Sequence, residues 1–376
     1  METLRPPSPD NGFSAAQWCP EDVLREIMNY LSRGDVASCS LVCRGWLNAC
    51  RAQLYTIMRF GAGNATTSAG VREASLLART FTTSPHLLGF IRHLSIFPRH
   101  GHDNKVYEWI PILASFGRVR DLRIWHWQSE TVAPLRILSS MPPFPSIEHI
   151  SLCRATMEQN GLSIRRVLEI FPNADSVVLE LHRRMSNFSP PLCGHRVIRR
   201  ISILAFEVPV DVFFPFLGTH APSLTRLDIG ATFTAQDIDA RVPPPEELLA
   251  CIVLSMTHLV SLTIIIPTSQ SPFLDHVVPQ LPRLRELCCV HDSCSSTLLQ
   301  ELPAQIHTLR LLACLKEFEI AVIEEMIWRS RARQTSLRNL FIRHIGCDQD
   351  VERIKDACAA SGIWFDDHMH FNPMQP

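Results

Sequence analysis

Residues 224–229 read Leu-Thr-Arg-Leu-Asp-Ile, and residues 259–264 read Leu-Val-Ser-Leu-Thr-Ile. Both place apolar residues at the first, fourth and sixth positions. Alternation over the last three is the period-two signature of a strand, and the leading apolar residue anchors the turn into it. The same spelling begins at Ile91, Val119, Ile147, Ala174, Ile198, Leu284, Ile306 and Leu337, which makes ten copies whose starts lie 22 to 35 residues apart.

Between these triplets lie segments of helical character, over 105–116, 161–171, 246–256, 318–331 and 350–360. Proline and small polar residues punctuate the joins, as at Phe171-Pro172-Asn173 and Ala221-Pro222-Ser223. Strand, turn, helix and turn at this period resemble the leucine-rich repeat. In that architecture each unit buries its strand residues only by stacking on its neighbours. The repeat's Asn or Cys ladder position, three residues after the triplet, is filled by Cys314 alone. The longest step carries a proline-rich insertion at Val242–Pro245. The expectation is therefore an α/β fold over 86–376: an irregular leucine-rich-repeat solenoid with a parallel inner sheet and outer helices. Gly362–Pro376, which carries Ile363-Trp364-Phe365, is expected to close its end as a cap.

Upstream, residues 19–55 read CPEDVLREIMNYLSRGDVASCSLVCRGWLNACRAQLY. Val23, Leu24, Ile27 and Leu31 recur at helical spacing. Pro20 precedes that helix, and Glu21 and Asp22 suit the positive end of its dipole. Ser32-Arg33-Gly34-Asp35 breaks the run, with Gly34 free to take positive φ and Asp35 able to cap a second helix. A third helix is expected from about Val42, with Trp46 and Ala49 or Cys50 on one face. Three short helices bury too little apolar surface to fold confidently alone, so exposed apolar faces here predict a partner.

These residues resemble the F-box: Pro20, Val23-Leu24, Ile27, Leu31, Asp35-Val36, then Leu41-Val42-Cys43-Arg44-x-Trp46, closing on Leu54-Tyr55. One departure is Cys19, where the family usually has Leu. The resemblance implies docking on a Skp-family adaptor, and through it on a cullin–RING ubiquitin ligase, by Pro20, Val23, Leu24, Ile27, Leu31, Val36, Leu41, Val42 and Trp46. It implies a non-catalytic role, in which the chain brings a target close to a ubiquitin-conjugating enzyme held elsewhere. The alternative is a ligase-independent binding scaffold whose N-terminal helices cap the solenoid. The domain reading is a disordered segment over 1–17, the F-box module over 18–60, a linker and first helix over 61–85, and the repeat array over 86–376.

Composition agrees with an intracellular adaptor. Of the 376 residues, 46% are hydrophobic and 19% charged, as in a folded globular protein. A net charge of −1 supplies no global field for nucleic acid or an anionic membrane. Met1–Asn11 has no apolar core segment, so neither a secretory signal nor a membrane span is expected there. The 13 cysteines lack regular spacing and often sit in apolar runs, as Cys153, Cys251 and Cys289 do. They read as reduced, buried thiols in a cytoplasmic or nuclear protein.

Side chains between the apolar positions of each triplet should point to the concave surface and offer it to a protein target. The candidates are Arg123, Trp125, Trp127, Arg226, Asp228, Glu286, Arg310 and Phe341. Their mixed charge suits a protein or peptide better than nucleic acid. Cys288-Cys289-Val290-His291-Asp292-Ser293-Cys294 invites a zinc reading but lacks a second ligand pair. No phosphate loop, dinucleotide fingerprint or nucleophile elbow occurs. No metal, cofactor or catalytic residue is expected.

Overall fold

A computed structural model describes residues 19–60, 68–97, 107–125, 141–155, 164–181, 197–234, 245–266, 272–290, 293–312, 320–332, 334–343 and 348–367. The expected disordered segment 1–17, the start of the linker at 61–67, Trp127, Cys314 and the insertion at 242–244 lie outside them. The chain divides into two compact units, Met1–Leu122 and Arg123–Pro376.

The first unit opens with three short helices: α1 (Glu21–Asn29), α2 (Arg33–Cys39) and α3 (Arg44–Thr56). Met28, Val36 and Cys50 form their buried core, with Leu31, Cys39, Trp46 and Leu54 against it. Helix α3 runs without a loop into strand β1 (Ile57–Phe60), which pairs in parallel with β2 (His93–Ile96). Between them lie α4 (Ser68–Thr83) and a 3-10 turn, Pro85–Phe90. After β2 come α5 (Ile110–Phe116) and β3 (Asp121–Ile124), which straddles the division between units.

An aromatic core binds the helical module to the first strand. Phe60 on β1 stacks 5.1 Å from Trp109, which is also 5.1 Å from Phe81 on α4, and Tyr55 of α3 meets Phe81 edge-on at 6.3 Å. Phe60, Phe81 and Trp109 are fully buried. Such large buried rings dominate a core's energetics, at roughly 3–5 kcal/mol for each aromatic-to-Ala replacement.

In the second unit the strands β4 (His149–Ala155), β5 (Ser176–Leu181), β6 (Arg200–Pro209), β7 (Arg226–Thr234), β8 (Ser261–Ile265), β9 (Glu286–Val290), β10 (Thr308–Leu312), β11 (Asn339–Ile342) and β12 (Trp364–Asp366) follow one another. In both units the strand order in the sheet is the order in the chain, and neighbours pair in parallel. The helices between strands are α6 (Ile164–Ile170), α7 (Val210–His220), α8 (Pro245–Leu254), α9 (Leu274–Val277), α10 (Ser296–Gln300), α11 (Ile320–Arg331) and α12 (Asp348–Ser361). Helices at the N-terminus followed by a parallel sheet with a helix in most crossovers make an α/β fold that fits a repeat solenoid.

The triplets explain the register. Equivalent positions pair strand to strand, as Leu227 with Leu262, Leu262 with Leu287, and Leu287 with Leu309. Every apolar residue of the ten triplets is buried, from Ile91, Leu94 and Ile96 to Leu337, Leu340 and Ile342. Two strands fall outside the ten. β1 precedes them, with Met58 and Phe60 inward, and β12 lies in the first part of the stretch expected as a cap, whose residues 368–376 fall outside the described ones. Gly362 makes that last turn: its φ of 70° follows α12 directly, a left-handed conformation that favours glycine.

In place of an Asn ladder after each triplet, polar side chains immediately before it reach back to the preceding repeat. Asn173 Nδ2 donates to the Pro145 carbonyl at 2.9 Å, Ser223 Oγ to Ile198 O at 2.8 Å, and Gln305 Nε2 to Leu281 O at 3.1 Å. The turns therefore carry the cross-links that the missing ladder would have supplied.

Candidate functional site

Two surfaces hold the residues singled out by the sequence. The first is on the helical module. Pro20 precedes α1, and its carbonyl accepts from Leu24 N–H at 3.0 Å. Leu24 and Met28, four residues apart, lie on the buried side of α1. Val23 and Ile27 are rotated from them by one residue and stand 45% and 43% exposed. Val36 on α2 is buried like Leu24, so both support the module from within rather than offering themselves to a partner. Leu31 and Trp46 are half-buried against the same core.

The connection between α2 and α3 gives the surface its other half. Ser32, not Asp35, is the N-cap of α2: its hydroxyl accepts from Asp35 N–H at 3.3 Å and donates to the Asp35 carboxylate at 2.6 Å. Gly34 lies inside α2 and has no positive φ. Helix α3 begins at Arg44 with Cys43 as its cap, slightly later than the sequence suggests. Leu41 and Val42 are left in the turn before it, 86% and 63% exposed. Val23, Ile27, Leu41 and Val42 are thus large apolar side chains left in water by a small three-helix module. At the junction of α2, α3 and β1 lies a cleft of about 360 Å³, lined by Leu31, Arg33, Val36, Leu54, Ile57 and Arg59 among others. Arg33 spans it, donating to the Leu54 carbonyl at 3.0 Å.

The second surface is the polar face of the sheet, opposite the buried triplet residues. Arg123 on β3 and Trp125, which directly follows it, are half-buried. Arg226 Nε donates to Asp228 Oδ2 at 3.0 Å, and Arg200 Nη2 lies 3.8 Å from the same oxygen. Asp228 is 1% exposed, so the pairing is what permits its charge to be buried. Burial lowers the Arg200 pKa, the neighbouring Arg226 charge lowers it further, Asp228 opposes both, and Arg123 adds to the lowering. Glu286 accepts from Ser261 Oγ at 3.1 Å across β8 and β9. Arg310 lies over the Phe341 ring at 5.0 Å, and Phe341 meets Trp364 edge-on, also at 5.0 Å.

The sheet therefore brings Arg226 with Asp228, and Arg310 with Phe341, while leaving Glu286 with a serine. Reading by triplet missed Arg200 and Trp364. Arg200 stands in the same register position as Arg226, just before the central apolar residue, so aligning the ten copies would have found it. Trp364 carried no such signal, because β12 lacks a full triplet.

The thiols are buried on both sides of β9. Cys288 is pushed up to about 12 by burial, with Arg310 and Arg226 opposing and Asp228 reinforcing. Cys289 contacts Cys294, sulfur to sulfur, at 3.4 Å. That contact, followed by complete burial, raises Cys289 well above the ordinary thiol value. Among the described residues, no three His, Cys, Asp or Glu side chains gather as metal ligands, and no helix is long and apolar enough to cross a membrane.

Residues 18–57 match the F-box domain family. No curated protein matches the chain. The matched span covers α1, α2, α3 and the first residue of β1, so the family's boundary falls inside the continuous stretch that joins module to sheet. F-box domains bind Skp-family adaptors in cullin–RING ligases and in general mark the substrate-receptor subunits of those complexes. F-box proteins are generally non-catalytic.

Proposed function

We propose that this chain is the substrate-receptor subunit of an SCF-type ubiquitin ligase, with residues 18–60 docking on the Skp-family adaptor and residues 86–376 binding the target as a leucine-rich-repeat array. The observation that carries the reading is the bare apolar surface of Val23, Ile27, Leu41 and Val42 within the F-box span. Pro20 borders it, and Leu24, Leu31, Val36 and Trp46 fix the helices that present it. The target candidates are Arg123, Trp125, Arg226, Asp228, Glu286, Arg310 and Phe341 on the polar face, with Arg200 and Trp364 beside them.

One observation favours a second role for the same helices. Tyr55, Phe60, Phe81 and Trp109 share one aromatic core, so α3 also closes the first strand of the sheet. Capping draws on Tyr55 and docking on Val23, Ile27, Leu41 and Val42, so the two roles use different residues and are compatible.

Co-purification with a Skp-family adaptor separates them. Wild-type chain should retain the adaptor, and an Ile27→Asp, Leu41→Asp variant with unchanged circular dichroism should lose it. Two charges forced into an apolar contact should weaken capture at least about 100-fold. A folded wild-type chain that captures no adaptor would leave a repeat scaffold with a helical cap.

A further inference from the structure

The edge of the second unit at which its strands begin carries a continuous main-chain ladder. The residue just before each strand donates its N–H to the carbonyl of its counterpart in the preceding repeat, at 2.8 to 2.9 Å. The row starts with Glu148 and Asp175, ahead of β4 and β5, and ends with Val260, Arg285, His307 and Arg338, ahead of β8 to β11. Its last step is the N–H of Trp364, which donates to the Arg338 carbonyl at 2.8 Å. Acidic residues thus stand at one end of the edge and basic ones at the other.

The basic end has no counter-ion. Arg285 and Arg338 are exposed, and their side chains make no hydrogen bond or ion pair among the described residues. His307 stands between them on the middle of three paired strands. Burial lowers the His307 pKa, and the Arg338 and Arg285 charges lower it further. Glu286, one residue past Arg285, is taken up by the Ser261 hydroxyl, and Glu301, just past α10, pairs with neither arginine. Two residues before Arg285, Arg283 adds a further cation, donating to His258 Nδ1 at 2.9 Å. Like charges in matching register on neighbouring strands are unfavourable, so the folded chain gains nothing from this arrangement.

Both ends of the basic row are apolar. Val260 is 36% exposed and Trp364 54%. Strands lie about 4.8 Å apart, so four steps from β8 to β12 span about 19 Å, the reach of about six extended residues. A guanidinium fork pairs with carboxylate or phosphoryl oxygens in two parallel hydrogen bonds, and a half-exposed tryptophan suits an apolar anchor. A long nucleic acid fits less well, because Glu148 and Asp175 lie further along the same edge and would repel it.

We propose that the row from Val260 to Trp364 receives a short acidic segment of a partner protein, whose carboxylate or phosphoryl groups pair with Arg285 and Arg338 and whose flanking apolar side chains rest on Val260 and Trp364. This contact is additional to the polar face and does not depend on the ligase role.

The test uses the full chain and a fluorescent peptide with the core Leu-Ser-Glu-Glu-Ser-Leu in a Gly-Ser frame. Three relatives carry phosphoserine for both glutamates, serine for both glutamates, or alanine for both leucines, and an oligothymidine of equal length stands for nucleic acid. Binding is read by fluorescence anisotropy at low and moderate salt. The acidic peptides should bind and weaken with salt, and the serine-centred peptide should bind about tenfold more weakly or worse. Arg285→Glu with Arg338→Glu, at exposed positions, should leave circular dichroism unchanged and weaken the acidic peptides by about tenfold or more. Arg79→Glu, on exposed α4, should not. Trp364→Ala should weaken the leucine-flanked peptide and leave the alanine-flanked one as it was. Preference for phosphoserine over glutamate would identify a phosphorylated partner, and the reverse a constitutively acidic one. Equal binding of the serine-centred peptide, no binding by folded chain, or indifference to the double charge reversal would overturn the proposal. Tighter binding of oligothymidine would overturn it in favour of nucleic acid. Adaptor capture on the same samples keeps the readings apart: capture without peptide binding removes only this edge, and peptide binding without capture removes only the ligase role.

Discussion

The helical module and the polar face of the sheet solve opposite problems. On the module, apolar side chains that could have been inside are outside: Leu41 is 86% exposed while Leu24, on the same small domain, is 2% exposed. On the sheet, charged side chains that belong in water are half-buried or buried, and Asp228 is held by two arginines. A bare apolar surface gains free energy against any partner of matching shape and suits one constant partner. A preordered charge array gains little from nonspecific contact, because displaced water must be replaced by matching groups, and so it discriminates. On the proposed function, one chain carries a general handle and a selective face.

The sharpest way to break this contrast is within α1 itself. Leu24→Asp buries a charge and should cost roughly 4 kcal/mol or more, unfolding the module. Ile27→Asp, three residues on, should shift stability by less than about 1 kcal/mol while still impairing adaptor capture. Thermal denaturation monitored by circular dichroism, paired with the capture assay, distinguishes them. Similar destabilisation by both would mean that Ile27 belongs to the core.

On the sheet, Asp228→Ala should cost about 3 kcal/mol, since it removes the carboxylate that Arg226 donates to and Arg200 faces in a desolvated site. Urea denaturation measures it. Adding Arg200→Leu and Arg226→Leu to that variant should recover most of the loss, because apolar replacements of a buried ion cluster are often neutral or stabilising. Failure to recover would show that Asp228 serves packing rather than charge balance.

A smaller effect comes from Cys288, pushed up to about 12 by its burial. Below pH 9 the thiol is neutral in both folded and unfolded chains and adds no pH dependence. Between pH 9 and 12 the unfolded chain ionises while the folded chain keeps its proton, so stability falls with rising pH. The slope for one such group is at most about 1.4 kcal/mol per pH unit. Melting temperatures across pH 8 to 10 should decline, and more shallowly in Cys288→Ala. Cys358, pushed up to about 12 by burial alone, contributes to the residual slope together with the raised Cys289 and Cys50.

The repeated triplet made most of the fold legible. Its apolar positions are all buried, because period-two alternation leaves a strand no second way to hide them. β1 and β12 escaped because the leading position fails at each end: Tyr55 belongs to α3, and Gly362 turns the chain instead of anchoring it. On the module, spacing alone grouped Leu24 with Val23 and Ile27. Only the packing of three helices shows which side of that stripe is inward, since a broad apolar stripe on a short helix has two usable edges. On the polar face, spacing placed Arg226 and Asp228 correctly. Aligning the copies also puts Arg200 in the register position of Arg226, but only the paired strands show that both turn to Asp228.

The uninterrupted passage from α3 into β1 has a consequence for how such a protein could be assembled from parts. A module moved between proteins as a cassette needs a seam where cutting exposes nothing that matters. Here the family's span ends at residue 57, inside β1, and Phe60 three residues later lies at the centre of a buried aromatic core. A cut at that boundary would leave the helices without the strand that they close, and the sheet with its first apolar edge in water. A cassette that kept its core intact would have to carry Phe60, Phe81 and Trp109 with it, so the physical unit is larger than the motif by which it is recognised.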